Sequence, residues 1–277
     1  MKLKDKVAII TGGSGSIGKA IAKAFLREGA RVMIASRSRE ELAAAKVELG
    51  EDSPSVAVCC TDVTRSGDVK MLVQTTVQAF STVHIIVNVA GIYGPIGPSV
   101  EADFEKWKKT FEVNVFGTFR MMQEVLPIMT QNNYGKVINF SGGGDGPLPR
   151  FSAYHASKGA VVRLTETFAA EVRGDNIDIN AIAPGAVNSA FLDEALAAGE
   201  DKVGKEKYQA LLDQKASGGV SPEKAAEVCV FLASSASDGL SGKFLSAVWD
   251  PWQKWDKKEI EEIMRGDFYT LRRKTPQ

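Results

Sequence analysis

Cysteine and histidine are scarce, with three cysteines and two histidines in 277 residues. An odd number of cysteines, two of them adjacent at Cys59 and Cys60, does not form a disulfide framework and indicates a reducing compartment. We therefore predict a cytoplasmic protein. No metal site is predicted.

An excess of charge of one sign is also lacking. The 34 lysines and arginines balance 34 aspartates and glutamates, so the formal net charge is zero. A neutral chain gives no reason to expect a nucleic acid or an anionic membrane as a partner.

Long apolar runs are missing as well. The start of the chain, MKLKDKVAIITGG, is charged and reaches a glycine loop after only five apolar or threonine residues. This pattern predicts neither a signal peptide nor a membrane span. Hydrophobic residues nevertheless make up 44% of the sequence. That is enough for a large core, and α/β folds of this length often form one domain.

A glycine-rich turn follows the first apolar run. Residues Val7 to Ile10 are too few for a helix, and the TGGSGSIG segment from Thr11 to Gly18 leads into an amphipathic stretch over 19–28. The order is therefore strand, glycine turn and helix. The G-x-G-x-x-G spacing within the turn fits the dinucleotide fingerprint, because small residues let the backbone and the helix amino end approach a pyrophosphate.

The end of the second predicted strand, Arg31 to Ala35, carries information about the cofactor. An NAD site commonly has an acidic residue there to bind the ribose hydroxyls, whereas this chain has Ser36, Arg37, Ser38 and Arg39. A cationic strand end suits a 2′-phosphate better, so NADP is the favoured cofactor and NAD remains possible. The alternative is that both arginines only face solvent at a helix start.

The alternation of strand and helix then continues. Asp62 and Asn88 each follow a predicted strand, at the sheet edge where ligands bind in open parallel sheets. A long helix is predicted over 103–130, with Asn114 halfway along an apolar stripe. That amide needs hydrogen-bond partners, either within the core or as a residue that holds a water in a catalytic cleft.

Tyr154 and Lys158 lie one turn apart on a further predicted helix. Four-residue spacing places both side chains on one face. A nearby lysine cation favours the phenolate of a tyrosine, whose pKa is otherwise about 10, and so brings proton transfer within reach at neutral pH. Ser141 lies on the loop after a strand over 136–140, where its hydroxyl could bond a substrate oxygen beside the phenol.

Taken together and in order, these segments resemble the motifs of the short-chain dehydrogenase/reductase family over about residues 3–248. They are the TGGSGSIG turn, Thr61-Asp62-Val63, Asn88-Val-Ala-Gly91, Asn114, Ser141, Tyr154-x-x-x-Lys158 and Asn180-Ala-Ile-Ala-Pro-Gly185. The resemblance implies a single-domain α/β fold of Rossmann type, with a doubly wound parallel sheet of about seven strands flanked by helices.

The resemblance also implies roles for a catalytic tetrad. Tyr154 would be the acid or base, and Lys158 would bind the nicotinamide ribose and lower the pKa of Tyr154. Ser141 would orient the substrate carbonyl or alcohol, and Asn114 would hold a water in a proton relay that reaches Lys158. The hydride would come from or go to the cofactor.

A cofactor site follows from the same motifs. The predicted cofactor-binding residues are Gly12, Ser14, Gly15, Ser16, Ile17, Gly18, Ser36, Arg37, Asp62, Val63, Asn88, Ala90, Gly91, Tyr154, Lys158, Pro184, Gly185 and Val187. The last three would border the nicotinamide.

The chain departs from the family pattern at four places. Ser16 stands where the shorter branch usually has its second glycine, and the spacing follows the longer nucleotide-sugar branch instead. Val89 replaces the second Asn of Asn-Asn-Ala-Gly. Counting forward from the strand puts Gly142 at the usual serine position, but counting back thirteen residues from the tyrosine selects Ser141, the only nearby hydroxyl. Finally, the usual Asp-Gly-Gly ending is replaced by a tail.

Two segments lie outside the shared motifs. Residues 189–219 read as an insertion that covers the substrate. Residues 249–277 form a tail beyond the catalytic domain of residues 1–248, with tryptophans at 249, 252 and 255. These indoles either hold the tail on the domain or on a neighbouring subunit, or line the substrate pocket. In the family the helix of Tyr154 and the preceding long helix pair across a subunit interface, which predicts a homodimer or homotetramer.

The sequence therefore predicts an NAD(P)-dependent oxidoreductase that interconverts a carbonyl compound and an alcohol, with a small molecule as substrate. Two alternatives stay open. One is a dinucleotide-binding module that senses redox state without turnover. The other is an epimerase or dehydratase that uses a bound cofactor transiently.

Overall fold

Seven parallel strands form one sheet in the computed structural model, which describes residues 1–142 and 146–273. The strands are β1 (Val7–Thr11), β2 (Arg31–Ser36), β3 (Val56–Cys60), β4 (Ile85–Asn88), β5 (Gly135–Phe140), β6 (Ile177–Ala183) and β7 (Phe244–Ser246). Their order across the sheet is β3-β2-β1-β4-β5-β6-β7, and every neighbouring pair is parallel. The strand order reverses between β1 and β4, which creates the crevice where doubly wound sheets bind ligands. The predicted fold class is confirmed.

Helices connect the strands on both faces of the sheet. They are α1 (Ser16–Arg27), α2 (Arg39–Gly50), α3 (Ser66–Phe80), α4 (Phe104–Phe111), α5 (Gly117–Gln131), α6 (Ser152–Glu171), α7 (Ala190–Ala198), α8 (Glu200–Val203), α9 (Lys205–Ser217), α10 (Pro222–Ala233) and α11 (Lys257–Arg265). Short 3-10 turns cover Ser99–Glu101, Ser235–Ser237 and Trp252–Lys254.

Both faces of the central strands are buried, which explains why β1 reads as an unbroken apolar run. Ala8 and Ile10 pack with α1 and α10 on one side, while Val7 and Ile9 pack with α3 and α5 on the other. Burying one such side chain contributes about 1.5–3 kcal/mol. The strands therefore hold a rigid floor beneath the crevice.

The long helix predicted over 103–130 is divided in the structure. A π-helical turn, Glu112–Phe116, separates α4 from α5 and contains Asn114. Such a turn inserts one residue into the helical repeat and is frequent at functional sites. The regular α-helical period used to predict this helix from the sequence cannot detect such a π-helical turn.

The tail packs onto the domain rather than extending from it. Trp252 is buried, and Ile260 and Ile263 of α11 belong to the same apolar cluster as Ile10 of β1. An Asp256 capping box begins α11. No helix among the described residues is long and apolar enough to cross a membrane. Residues 143–145, in the loop before α6, and 274–277, at the end of the predicted tail, lie outside the described ranges.

Candidate active site

The glycine turn between β1 and α1 closes tightly on the end of β4. Gly12 has φ +65°, and a Cβ placed there would come 2.9 Å from the main-chain nitrogen of Ala90. A Cβ at Gly18 would collide with the carbonyl oxygen of Gly12. Only glycine fits both positions, and the first turn of α1 contains no acidic residue. Its free N–H groups are therefore available to an anionic group such as a pyrophosphate.

A groove of about 310 Å³ runs from this turn along the carboxyl ends of the strands. Twelve of the predicted cofactor-binding residues line it: Gly12, Ser14, Gly15, Ser16, Ile17, Gly18, Ser36, Arg37, Asp62, Val63, Ala90 and Gly91. Asn88 does not line it. Its side chain is buried beneath the groove, where Nδ2 donates a 2.9 Å hydrogen bond to Oδ1 of Asn139.

The far end of the groove contains a carboxylate that the sequence reading missed. Glu41 lines the groove and accepts a 2.9 Å hydrogen bond from the Ser14 hydroxyl. Ser38 caps α2 by accepting from the main-chain nitrogen of Glu41. The Ser-x-x-Glu pattern is typical of a capping box, but here the Glu41 carboxylate contacts Ser14. Arg37, the predicted phosphate ligand, is exposed beside it.

Asp62 lies at the groove edge after β3. Burial alone would raise its pKa, but two hydrogen bonds from Thr64 and the charges of Lys109 and Arg37 lower it overall. The carboxylate is therefore held ionised and oriented as an acceptor for a donor such as an adenine amino group or a ribose hydroxyl.

A second, larger cavity of about 1180 Å³ adjoins the groove. Ile17, Val89, Ser189 and Phe191 line both spaces. Tyr154, Lys158 and Ser141 line the larger one, together with Pro184, Gly185 and Val187. The structure thus brings the predicted catalytic face and the predicted nicotinamide border to the end of this groove.

Lys158 is fully enclosed in this cavity wall. Its Nζ donates a 2.7 Å hydrogen bond to the carbonyl oxygen of Phe140, and burial lowers its pKa to about 8. Nζ lies 5.7 Å from the centre of the Tyr154 ring. Burial, with the nearby Tyr93 as a second cause, raises the pKa of Tyr154. This direction is opposite to the lowering expected from the lysine, because the desolvation of the phenolate dominates.

Ser141 does not present a free hydroxyl. Its Oγ donates a 3.1 Å hydrogen bond to the carbonyl oxygen of Lys158, and only 4% of the residue is exposed. The next residue, Gly142, faces the phenol instead, since a Cβ there would collide with the Tyr154 hydroxyl oxygen. Counting forward from the strand to Gly142 therefore identifies the residue that faces Tyr154. Counting back from Tyr154 to Ser141 does not.

Asn114 satisfies its side chain within the core. Its Oδ1 accepts from the main-chain nitrogen of Ile92 at 2.9 Å, and its Nδ2 donates to the carbonyl of Ile92 at 3.0 Å and to Ser157 Oγ at 2.8 Å. These bonds fix the loop after β4 against α6. The structure therefore shows the Asn114 amide bonded within the core, which was the first of its two interpretations. Its role in holding a catalytic water stays a prediction.

An aromatic wall faces the phenol of Tyr154. Tyr93 contacts it edge to face with ring centres 4.7 Å apart, and also packs against Phe191 at 4.6 Å and Phe151 at 5.2 Å. The sequence reading included Phe191 in the covering segment but missed Tyr93 and Phe151, which lie in loops where no periodic pattern applies. A separate cavity of about 560 Å³, beside the loop that follows β4, contains none of the predicted site residues.

The three tryptophans of the tail divide between the two predicted roles. Trp252 is buried against Phe231, with ring centres 5.6 Å apart, and Trp255 packs on Phe231 and Tyr269. Trp249 lines the larger cavity and is 86% exposed. Two indoles therefore hold the tail, and one stands at the mouth of the pocket.

Comparison with known proteins agrees with this architecture. The family model described as short chain dehydrogenase matches residues 6–200. The chain belongs to the short-chain dehydrogenase/reductase family. Its members are oxidoreductases of Rossmann fold.

Relatives within the family match over most of their length. The chain is 33% identical over 242 residues to 2-(S)-hydroxypropyl-CoM dehydrogenase 3 of Xanthobacter autotrophicus, covering 87% of this chain and 94% of that protein. It is 32% identical over 247 residues to a 3-oxoacyl-acyl-carrier-protein reductase of Thermotoga maritima, covering 88% and 97%. The crystal structure of an NAD⁺-bound xylitol dehydrogenase superposes with a TM-score of 0.81 at 27% identity, covering 89% and 98%.

Proposed function

We propose that the protein is an NAD(P)-dependent oxidoreductase that interconverts a ketone or aldehyde with an alcohol, with Tyr154 as the acid or base. The observation that carries this proposal is the junction of two spaces. A groove shaped by Gly12 and Gly18 meets a cavity that contains Tyr154 and Lys158, and Phe191 lines both.

The dinucleotide, when bound, supplies or accepts the hydride. We assign its binding to the groove residues and its nicotinamide end to the segment Pro184 to Val187. These residues fit such a group, because glycines let the backbone of the turn approach it and the first turn of α1 has no acidic residue. The protein then contributes alignment and electrostatics.

Tyr154 handles the proton. In reduction its hydroxyl gives a proton to the carbonyl oxygen while the carbonyl carbon gains the hydride, and in oxidation the same proton returns. Because burial raises the pKa of the phenol, the resting side chain is a proton donor at neutral pH. The Lys158 ammonium, held by Phe140, stabilises the phenolate that forms.

Three features are proposed alongside this activity. NADP(H) is the preferred cofactor, since Arg37 and not an acidic residue follows β2. The segment 189–219 acts as the substrate cover, because Phe191, Leu192 and Leu211 line the larger cavity. The chain forms a homodimer or homotetramer through α4, α5 and α6. Phe104 of α4 is 66% exposed and so available to such an interface. Sedimentation that shows only monomer would exclude the last feature.

The substrate class follows from the relatives. Their names describe a hydroxypropyl compound and a 3-oxoacyl compound, and both names fit a carbonyl and alcohol pair. The apolar rings around Tyr154 favour an uncharged carbon skeleton next to the reacting carbon.

A panel of carbonyl compounds tests the proposal. Ethyl acetoacetate, 2,3-butanedione and cyclohexanone are incubated with NADPH or NADH, and absorbance at about 340 nm reports hydride transfer. Net consumption of the reduced cofactor with formation of the alcohol is expected. Conversion without net consumption would instead identify an epimerase or dehydratase, and cofactor binding without any conversion would identify a sensing module.

A further inference from the structure

The described part of the loop after β5 brings main chain, and no side-chain donor, to the catalytic phenol. Within the residues that the structure describes there, Ser141 gives its hydroxyl to the carbonyl of Lys158, and Gly142 has no side chain to place beside Tyr154. A carbonyl oxygen that develops negative charge is stabilised by donors aimed at it in a site without bulk water. Tyr154 supplies one such donor, and the β5 loop residues Ser141 and Gly142 supply no second one.

A second phenol contacts Tyr154 within the same cavity. Tyr93 lines the larger cavity with Tyr154, and the two rings meet edge to face at 4.7 Å. Phe151 and Phe191 pack against Tyr93 and fix the plane of its ring. Its hydroxyl makes no hydrogen bond to any residue within 1–142 or 146–273. A half-buried phenol with no protein partner is available to a ligand.

We infer that Tyr93 is a second hydrogen-bond donor to the substrate oxygen, so that two phenols hold this oxygen where a phenol and a serine hydroxyl were expected. This inference rests on the proposed oxidoreductase function and names a further catalytic residue for it. Ser141 becomes a positioning residue, which ties β5 to α6 through the Lys158 carbonyl.

The two phenols have different parts in the step. In reduction the carbonyl carbon receives the hydride with its electron pair, the C=O π bond opens, and Tyr154 transfers its proton to the oxygen. Tyr93 keeps its proton throughout and only donates a hydrogen bond. Burial and the nearby Glu194 raise the pKa of Tyr93 to about 12, so it stays a donor over the whole working range of pH.

Other hydroxyls in the cavity are less suited to this role. Ser246 accepts hydrogen bonds from the main-chain nitrogens of Val248 and Trp249. The Thr270 hydroxyl donates to the carbonyl oxygen of Asp267. Tyr93, in contrast, contacts the Tyr154 ring directly.

The test compares Tyr93→Phe with Ser141→Ala and with Tyr134→Phe, a matched loss of one phenol hydroxyl at a residue that does not line the cavity. Each variant is assayed with the member of the carbonyl panel that the wild type turns over fastest, and single-turnover hydride transfer is followed by cofactor absorbance. We expect kcat of Tyr93→Phe to fall roughly tenfold to a hundredfold, as for the loss of one oxyanion donor. Cofactor Kd and Tm should stay at wild-type values. Tyr134→Phe should keep kcat within about threefold, because it removes no donor to the substrate oxygen. Ser141→Ala should lower kcat less than Tyr93→Phe does, because Ser141 acts only by tying β5 to α6.

Gly142→Ala gives a second, independent reading. A methyl group there collides with the Tyr154 hydroxyl, so kcat should fall while cofactor Kd is retained. Wild-type kcat in Tyr93→Phe, or a large loss in Ser141→Ala together with wild-type activity in Gly142→Ala, would overturn the inference. Wild-type kcat in Tyr93→Phe beside an active wild type overturns the inference alone, whereas a wild type that transfers no hydride to any panel member overturns the proposed function.

Discussion

The ammonium of Lys158 donates a 2.7 Å hydrogen bond to the main-chain carbonyl oxygen of Phe140. This bond joins α6 to the end of β5 and places a cation at the back of the catalytic cavity. The charge lies beside the Tyr154 ring and away from water. The proposed function needs this buried charge, whereas burying it lowers the stability of the fold.

The first prediction concerns the pH dependence of stability. Burial lowers the pKa of Lys158 from 10.5 to about 8, so between these values the unfolded chain binds more protons than the folded one. The free energy of unfolding consequently rises with pH in this window, and the penalty is fully present below about pH 8. Lys158→Met should lose this dependence.

Urea denaturation at several pH values checks it. The wild type should gain stability relative to Lys158→Met by on the order of 3 kcal/mol between about pH 8 and 10.5. The difference at one pH is less informative, because the variant also leaves the Phe140 carbonyl without a partner, at a cost of about 1–3 kcal/mol. Lys254→Met, at an exposed lysine, is the control and should show a constant difference. A flat difference for Lys158→Met would contradict the prediction.

The second prediction concerns Tyr154→Phe. The variant retains the ring that packs against Tyr93 and Phe191 but has no proton to transfer. We expect kcat to fall by roughly 10²–10⁴, with the Kd of NADPH and the Tm unchanged. Stopped-flow absorbance and fluorescence titration measure these quantities, with Tyr208→Phe as the control. Substantial oxidoreductase activity in Tyr154→Phe would refute the assigned role.

The third prediction concerns the cofactor preference. Arg37 lines the groove, whereas Arg39 does not. Loss of a charged hydrogen bond to a 2′-phosphate costs about 1.5–3 kcal/mol. For Arg37→Ala, kcat/KM with NADPH should therefore fall roughly tenfold to a hundredfold, whereas kcat/KM with NADH should change little. Arg39→Ala is the matched control. Equal use of NADPH and NADH by the wild type would end this preference.

The fourth prediction separates two tryptophans of the tail. Trp252→Ala removes a buried indole from the core and should lower the free energy of unfolding by about 3–5 kcal/mol. Trp249→Ala removes an exposed indole from the cavity mouth, so Tm should hold while KM for the carbonyl substrate rises. Thermal unfolding and steady-state kinetics measure both. Unchanged KM in Trp249→Ala would restrict the tail to a structural role.

The fold of the molecule and several residues of the candidate site could be predicted from the sequence. The central strands could be predicted because both of their faces are buried, which leaves an unbroken apolar run such as that of β1. The glycine turn could be predicted because Gly12 and Gly18 meet backbone at distances that exclude a Cβ. Tyr154 and Lys158 could be paired because helical spacing fixes their common face.

Other features depend on contacts that spacing does not encode. The choice between Ser141 and Gly142 turns on a single residue in a loop, where no period applies. The π-helical turn at Asn114 interrupts the regular helical repeat. The Glu41 carboxylate accepts a hydrogen bond from the Ser14 hydroxyl, which is distant in sequence, instead of capping its own helix. Tyr93 becomes part of the site only when the loop after β4 folds back against α6.

The attachment of the tail has a consequence for the sheet as a whole. The main-chain nitrogen of Phe244 in β7 donates a 2.8 Å hydrogen bond to the carbonyl of Tyr269, and Lys243 Nζ binds the carbonyls of Gly266 and Phe268. The chain thus covers an outer strand edge that could otherwise pair with a strand of another molecule. Removing residues 256–277 would bare that edge, so the shortened protein should self-associate through exposed backbone as well as melt earlier.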